Sequence, residues 1–407
     1  MHSKSLTALT IFVGAALPLA LAHQSTTITP QAKELHAKSI VVDTHDDTTQ
    51  RLLDPNFDFG ARHSDGNVDI PRMREGGLDA IFFSIWIPGT VTGQPAVDRA
   101  TAQIEAVRRT VVAHPSDLVL CTTAAQIRAA KGSGKICALM GVEGGHMINN
   151  SLETLDKFYS LGVRYMTLTH TVNTDWADSA NDKAAHDGLT PFGKQVVAEM
   201  NKLGMMVDIS HVADKTFYDV LAISKAPVIA SHSSCRAICT APRNMTDQMI
   251  KDLAAHGGVI QINYHIGFLS QEFADASKAH PEYGKEIEAE AKKRCAGNEA
   301  CELIEADKVT REYVAAGKLP RVEWTKIIEH IDHAVKLVGA DHVGLGSDFD
   351  GADMPYGMDD VSKLPEITNA LLAKDYSPAD VQKILGGNTL RLMQEVENTA
   401  KKLGGKS

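Results

Sequence analysis

An α/β fold, a (β/α)8 TIM-type barrel with a helical insertion between its seventh and eighth strands, is predicted for this 407-residue chain by three observations. Short apolar runs of strand length alternate eight times with segments of helical periodicity, the pattern of a closed parallel barrel rather than an open sheet. Most of those runs end in His, Asp or Glu, and a parallel barrel gathers the C-terminal ends of its strands at one mouth. One connection alone, between Asn263 and Val343, is far too long for a simple strand-to-strand crossover and is rich in charge.

The chain opens on a segment that is not part of this pattern. Lys4 supplies a positive start, Leu6 to Ala22 is apolar, and Ala20-Leu-Ala22 is a small-x-small cleavage signal. Residues 1–22 are therefore expected to be a secretory signal peptide, with an uncleaved N-terminal anchor as the alternative. Residues 23–407 are expected to form a single barrel domain, because barrels routinely use this much chain. Export places the protein in the periplasm or outside the cell, where disulfides persist. The six cysteines fall as three local pairs, Cys121 with Cys137, Cys235 with Cys239 and Cys295 with Cys301, among fifteen formal connectivities. A net charge of −10 argues against a nucleic-acid partner and against a basic membrane-binding face.

Taken in order, the first strand is expected at Ser39 to Asp43, followed at once by His45 and Asp47, which share a face while Asp46 points away. The second is Ala80 to Trp86. Thr101 to His114 reads as a helix with Ile104, Val107, Val111 and Val112 on its apolar face. The third strand, Ile136 to Met140, leads through Gly141 to Glu143, with Gly144 and Gly145 beyond. Ser151 to Leu161 is helical. The fourth strand, Tyr165 to Thr169, ends in His170, and Pro191 to Leu203 is the next helix. The fifth strand, Met205 to Ile209, places His211 on the face of Val207 and Ile209. The sixth, Pro227 to Ser231, ends in His232, with Arg243 in the loop beyond; the seventh is Gly258 to Asn263. Residues 264–325 form the insertion, expected to be helical, to lie near the mouth and to be stapled by Cys295 and Cys301. The eighth strand, Val343 to Ser347, ends in Asp348, and Ser377 to Leu403 is helical and closes the fold.

Each strand-end residue taken singly has an ordinary structural reading, such as a loop carboxylate, a turn cap or a hydrogen-bonded histidine. Convergence of so many on one mouth changes that. A buried group of histidines and carboxylates is best neutralised by metal. The count suits two divalent ions: His45 and Asp47 on one, His211 and His232 on the other, and Glu143 bridging. Imidazole with carboxylate and no thiolate points to zinc first, with manganese or cobalt as substitutes. Two metals with a bridging hydroxide make a nucleophile at neutral pH and polarise a carbonyl. Asp348 is placed to take a proton and His170 to steady an oxyanion. Arg243 suits the gripping of a substrate carboxylate. His146, Asp178 and Asp350 are weaker candidates, read as bracing residues.

These residues resemble the membrane (renal) dipeptidases, zinc-dependent members of the amidohydrolase-type barrels. The resemblance runs from about Ser39 to about Glu397 and is carried by Asp43-Thr-His-Asp-Asp47, Gly141-Val-Glu-Gly-Gly-His146, Leu168-Thr-His170, Asp208-Ile-Ser-His211, Ser231-His-Ser-Ser234, Arg243-Asn244 and Gly346-Ser-Asp-Phe-Asp-Gly351. It implies His45, Asp47, Glu143, His211 and His232 as ligands of two Zn(2+) ions, and His170 as a transition-state and substrate-binding residue. It likewise implies Arg243 as the binder of the dipeptide carboxylate and Asp348 as the catalytic acid/base. The chain departs from the mammalian members over Tyr264 to Phe268 and the Gln271 to Arg321 insertion. No hydrophobic tail follows Lys401, so their lipid anchor is expected to be absent. The expected activity is hydrolysis of L-Xaa-L-Xaa and L-Xaa-D-Xaa dipeptides, and a homodimer is compatible with it. The alternatives are an amidohydrolase for another carboxylate-bearing amide, such as an N-acyl amino acid or a β-lactam, and an exported metal- or peptide-binding protein without turnover.

Overall fold

The computed structural model describes residues 27–405; the expected signal peptide lies outside them. Among the described residues nine strands follow in chain order: β1 (Val42–Asp46), β2 (Ala80–Trp86), β3 (Leu118–Leu120), β4 (Ile136–Glu143), β5 (Val163–Thr167), β6 (Met206–Asp208), β7 (Ile229–Ser233), β8 (Val259–Ile262) and β9 (Val343–Leu345). Eight of them pair in parallel in the order β1-β2-β4-β5-β6-β7-β8-β9. A parallel bridge between Asp46 and Phe349 brings the last strand end back to the first. The result is the expected barrel, with helices packed outside it.

β3 was not foreseen. Its three residues pair with Ile136 to Ala138, on the flank of β4 that β5 takes over from Met140 onward. A run of three residues carries too little periodicity to be recognised. The helix that follows, Ala124–Ser133, is rich in alanine and has only a weak apolar stripe. Its ends are nonetheless well specified, by a Thr123/Gln126 capping box and by Gly134 at φ 70°.

Two strands lie later in the chain than their apolar runs suggest. β1 covers Val42–Asp46 rather than Ser39 to Asp43, and β7 covers Ile229–Ser233 rather than Pro227 to Ser231. Polar residues enter these strands because the barrel interior satisfies them. Asp43 accepts the His45 and Ser347 amides, and the Thr44 hydroxyl lies 2.6 Å from the Ser231 carbonyl and 3.0 Å from that of Leu345. His45 and His232 thus sit within strands rather than after them. The long helix is Gln94–Ala113, with Ile104 and Val107 buried as expected, but Val112 is 78% exposed. At about 100° per residue, Val112 falls beside the buried stripe rather than on it.

The insertion is helical, as Ile266–Leu269, Gln271–Ala279, Pro281–Cys295 and Glu299–Ala315. Cys295 and Cys301 are bonded across the turn between the last two helices, and Cys121 is bonded to Cys137. Cys235 and Cys239 are buried free thiols; their sulfurs approach different carbonyls, of His330 and Gly267. Among the described residues no helix is long and apolar enough to cross a membrane.

Candidate metal centre

Glu143 is the last residue of β4 and lies at the centre of a cluster at the barrel mouth. Its two oxygens face different histidines. Oε1 is 2.9 Å from His211 Nε2 and 3.3 Å from His232 Nε2, whereas Oε2 is 3.4 Å from His45 Nε2. Asp47 Oδ2 lies 3.6 Å from His45 Nε2 and Asp348 Oδ1 lies 3.8 Å from it. The ligand atoms of His45, Glu143 and His232, and those of His45, Asp47 and Asp348, group within 4.8 Å of one another. The same holds for Glu143, His170 and His211.

The backbone that presents these groups requires special conformations. His211 and Asp348 adopt left-handed φ values of 67° and 68°, costly for side chains other than glycine and found where a site over-determines them. Gly141 lies inside β4, and a Cβ there would sit 1.9 Å from the ring of Tyr165. The missing side chain lets that ring cross toward β1, where its hydroxyl meets His45 Nδ1 at 2.8 Å.

Hydrogen bonding fixes which nitrogen of His232 remains free. The Asp208 carboxylate accepts from the Ser231 hydroxyl at 2.6 Å, so Ser231 Oγ accepts in turn from His232 Nδ1 at 2.8 Å. That leaves a lone pair on His232 Nε2, which faces His211 Nε2 at 2.9 Å. His45 Nε2 and Asp47 Oδ1 are buried without a hydrogen-bond partner. Among the described residues, the ion-pair partners of Glu143, Asp47 and Asp348 within 4 Å are all histidines. Unpartnered histidine and carboxylate atoms, buried together with no lysine or arginine among the described residues within ion-pair distance of these carboxylates, are what divalent cations would satisfy. The donor set fits divalent metal.

His170 is different. Its Nδ1 accepts the indole N–H of Trp86 at 3.0 Å, and an indole nitrogen only donates. In the neutral ring the proton is therefore on Nε2, which points at Glu143 Oε1 from 3.6 Å. Burial holds His170 below its ordinary pKa, so the neutral form is the relevant one. In that tautomer Nε2 is a hydrogen-bond donor and has no lone pair for a metal.

Burial pushes the Glu143 carboxyl up, but His45, His170, His211 and His232 outweigh it and hold it well below the usual range. Asp348 behaves alike, with His232 and His45 lowering it, and Oδ2 accepts from Asn263 Nδ2 at 2.8 Å. Asp47 is pushed up to about 7 by burial, a cost that a bound cation would remove. Arg243 is buried and lowered to about 10, still a cation at neutral pH. One terminal nitrogen donates to the His232 carbonyl at 3.1 Å, while Nε and Nη1 have no hydrogen-bond partner. Arg243 does not line the site cavity, but its Cζ lies 5.3 Å from the ring centroid of Phe268, which does.

The cavity has a volume of about 240 Å³ and is bounded by Asp47, Glu143, His170, His211 and Asp348, together with Trp86, His265, Phe268 and Leu303. Sequence reasoning missed Trp86, Tyr165, Asn263 and Ser231 as partners of site residues. Trp86 alone carried a signal, an aromatic at the end of a strand at the mouth. The weaker candidates divide as bracing residues: Asp178 accepts the Ala185 and Gly188 amides, and Asp350 accepts from Thr48 and the Asn67 amide. His146 Nε2 is buried without a hydrogen-bond partner, and burial lowers its pKa to about 4.

Residues 29–407 match the family model described as membrane dipeptidase (peptidase family M19). Dipeptidase 3 of Mus musculus is 33% identical over 348 residues, which are 84% of this chain and 60% of the mouse protein's length. A metallo peptidase from Rhodobacter sphaeroides, solved with a phosphinate mimic of the dipeptide L-Ala-D-Ala, superposes with a TM-score of 0.73 at 26% identity, over 88% of this chain and 99% of that one. The probable dipeptidase PvdM from Pseudomonas aeruginosa superposes with a TM-score of 0.76, also at 26% identity, over 91% of this chain and 98% of that one.

Proposed function

The chain belongs to the membrane dipeptidase family, and on that premise we propose that it is an exported dipeptidase with two zinc ions, hydrolysing L-Xaa-L-Xaa and L-Xaa-D-Xaa dipeptides. The observation that carries this reading is the division of Glu143, one oxygen toward His211 and His232 and the other toward His45. His45 and Asp47 would hold one ion and His211 and His232 the other, with Glu143 shared. When bound, such a pair supplies a water acidified to near neutrality and a polarised peptide carbonyl.

The remaining steps belong to the chain's own groups. Asp348, ionised and facing the cavity, accepts the proton of the attacking water and delivers it to the leaving amine. The Nε2–H of His170, oriented by Trp86, donates to the oxyanion that forms as the carbonyl carbon becomes tetrahedral. Arg243, with two unfilled donor nitrogens, holds the free carboxylate of the second residue. Such a clamp fixes that residue through its carboxylate rather than its side chain, so either configuration is accepted. The mimic of L-Ala-D-Ala bound by the Rhodobacter protein supports this tolerance. Residues 23–407 act as one domain after removal of residues 1–22, and the two disulfides suit an oxidising compartment.

The test is hydrolysis of L-Ala-L-Ala, L-Ala-D-Ala, tri-alanine and Ala-Ala amide, with and without a chelator. The first two should be cleaved, the last two poorly, and chelation should abolish turnover until zinc is returned. Arg243→Ala should weaken dipeptide use by roughly 2–5 kcal/mol, the scale for removing one partner of a buried charged pair. Equal hydrolysis of the amide would replace the dipeptidase reading with the broader amidohydrolase one.

A further inference from the structure

The catalytic cavity is not the only hollow at the barrel mouth. A second, open groove of about 370 Å³ lies next to it, with Pro88, Ala291 and Ala306 among its walls. Trp86 and Leu303 line both spaces, so these two side chains form the partition between them. They are held differently. Trp86 ends β2 and is tethered through its indole N–H to His170. Leu303 is half-buried on the insertion helix Glu299–Ala315, two residues past the disulfide-bonded Cys301.

The partition has a defined place relative to the substrate. Arg243 is in the loop after β7, and β7 lies four strands from β2 in either direction around the eight-stranded ring. Trp86 therefore faces Arg243 across the mouth, and Leu303 lines the cavity together with it. With the C-terminal carboxylate on Arg243, the second residue would lie by Phe268, whose ring centroid is 5.3 Å from Arg243 Cζ, and the first would reach toward Trp86 and Leu303. About 240 Å³ is also small, below the roughly 300–1,000 Å³ of pockets that take drug-sized ligands.

From this we propose that Leu303 is a specificity-determining residue: it closes the catalytic cavity against the neighbouring groove and restricts the enzyme to dipeptides with a small first side chain. The inference rests on the dipeptidase reading above and adds the size class of the first residue. Leu303 needs no polar role in this. Its branched side chain occupies the space that a larger first residue would need, and the groove behind it is apolar enough to receive one if the leucine is shortened.

The experiment compares kcat/KM for Ala-Ala, Phe-Ala and Ala-Phe in the zinc-loaded protein and in Leu303→Ala and Leu303→Val. The unaltered protein should prefer Ala-Ala to Phe-Ala by tenfold or more. Leu303→Ala should raise the Phe-Ala to Ala-Ala ratio by about tenfold, Leu303→Val by less, and neither should move the Ala-Phe to Ala-Ala ratio comparably. In Leu303→Ala, a further Ala306→Trp change that fills the groove should reverse the gain. Unchanged ratios in a variant that keeps its zinc, or equal gains for Phe-Ala and Ala-Phe, would overturn the inference alone. Failure of the unaltered protein to cleave any dipeptide would overturn the dipeptidase reading and the inference with it. Leu303→Val is the smaller change, so the comparison survives if Leu303→Ala does not fold.

Discussion

At the scale of single residues, Trp86 decides what His170 can do. Its N–H occupies His170 Nδ1 and so leaves a proton on Nε2, which points at Glu143. Trp86→Phe should retain both metals yet lower kcat, because the His170 tautomer is no longer fixed. His170→Asn and Asp348→Asn should likewise keep their metals while kcat falls by about a hundredfold or more, as expected when a transition-state donor or a general base is lost. Elemental analysis beside steady-state kinetics separates these outcomes, and loss of metal in either variant would make that residue a ligand instead.

At the scale of elements, the barrel places residues distant in sequence within hydrogen-bond reach. Gly141 on β4 makes room for Tyr165 of β5, which reaches His45 of β1. Gly141→Ala should displace that ring and weaken metal retention in dialysis against a chelator, with no change at any ligand. The helix Thr325–Val338 gives a pH-dependent case. His330 Nδ1 accepts the Cys235 amide and Nε2 donates to the Leu269 carbonyl, so the folded protein holds the neutral ring, and burial lowers its pKa from 6.5 to about 4. Between those values the unfolded chain binds more protons, so His330 contributes stability that is full above pH 6.5 and lost as pH falls toward 4. Asp43, raised to about 6 by burial, acts oppositely, since its folded form holds the extra proton. The comparison must therefore be made against His330→Gln: the stability advantage of the unaltered protein in urea should shrink between about pH 6.5 and pH 4. A constant difference would show that His330 is not held neutral.

At the scale of the whole molecule, the barrel and the mouth were legible because both depend on local signals. An apolar run marks a buried strand, and a charged residue at its end has little structural use unless several converge. What was illegible depends on contacts across the barrel. Nothing in the sequence near Asp348 announces Asn263, and nothing near His232 shows that Ser231 relays it to Asp208. The polar strand Val42–Asp46 lies later than its apolar run for the same reason: partners of Asp43 and Thr44 come from residues near 231 and 347. The insertion was visible as a long charged stretch, but not that Leu303 would face the cavity.

Sharing of two metal ions through Glu143 can be read from stoichiometric reconstitution. Metal-free protein titrated with zinc should recover L-Ala-D-Ala hydrolysis up to about two equivalents per chain, as a two-metal centre requires. Glu143→Gln should bind at least one ion fewer and remain nearly inactive at any zinc concentration. Full activity without metal, or a Glu143→Gln protein that binds two ions and turns over normally, would show that no such shared pair drives the reaction.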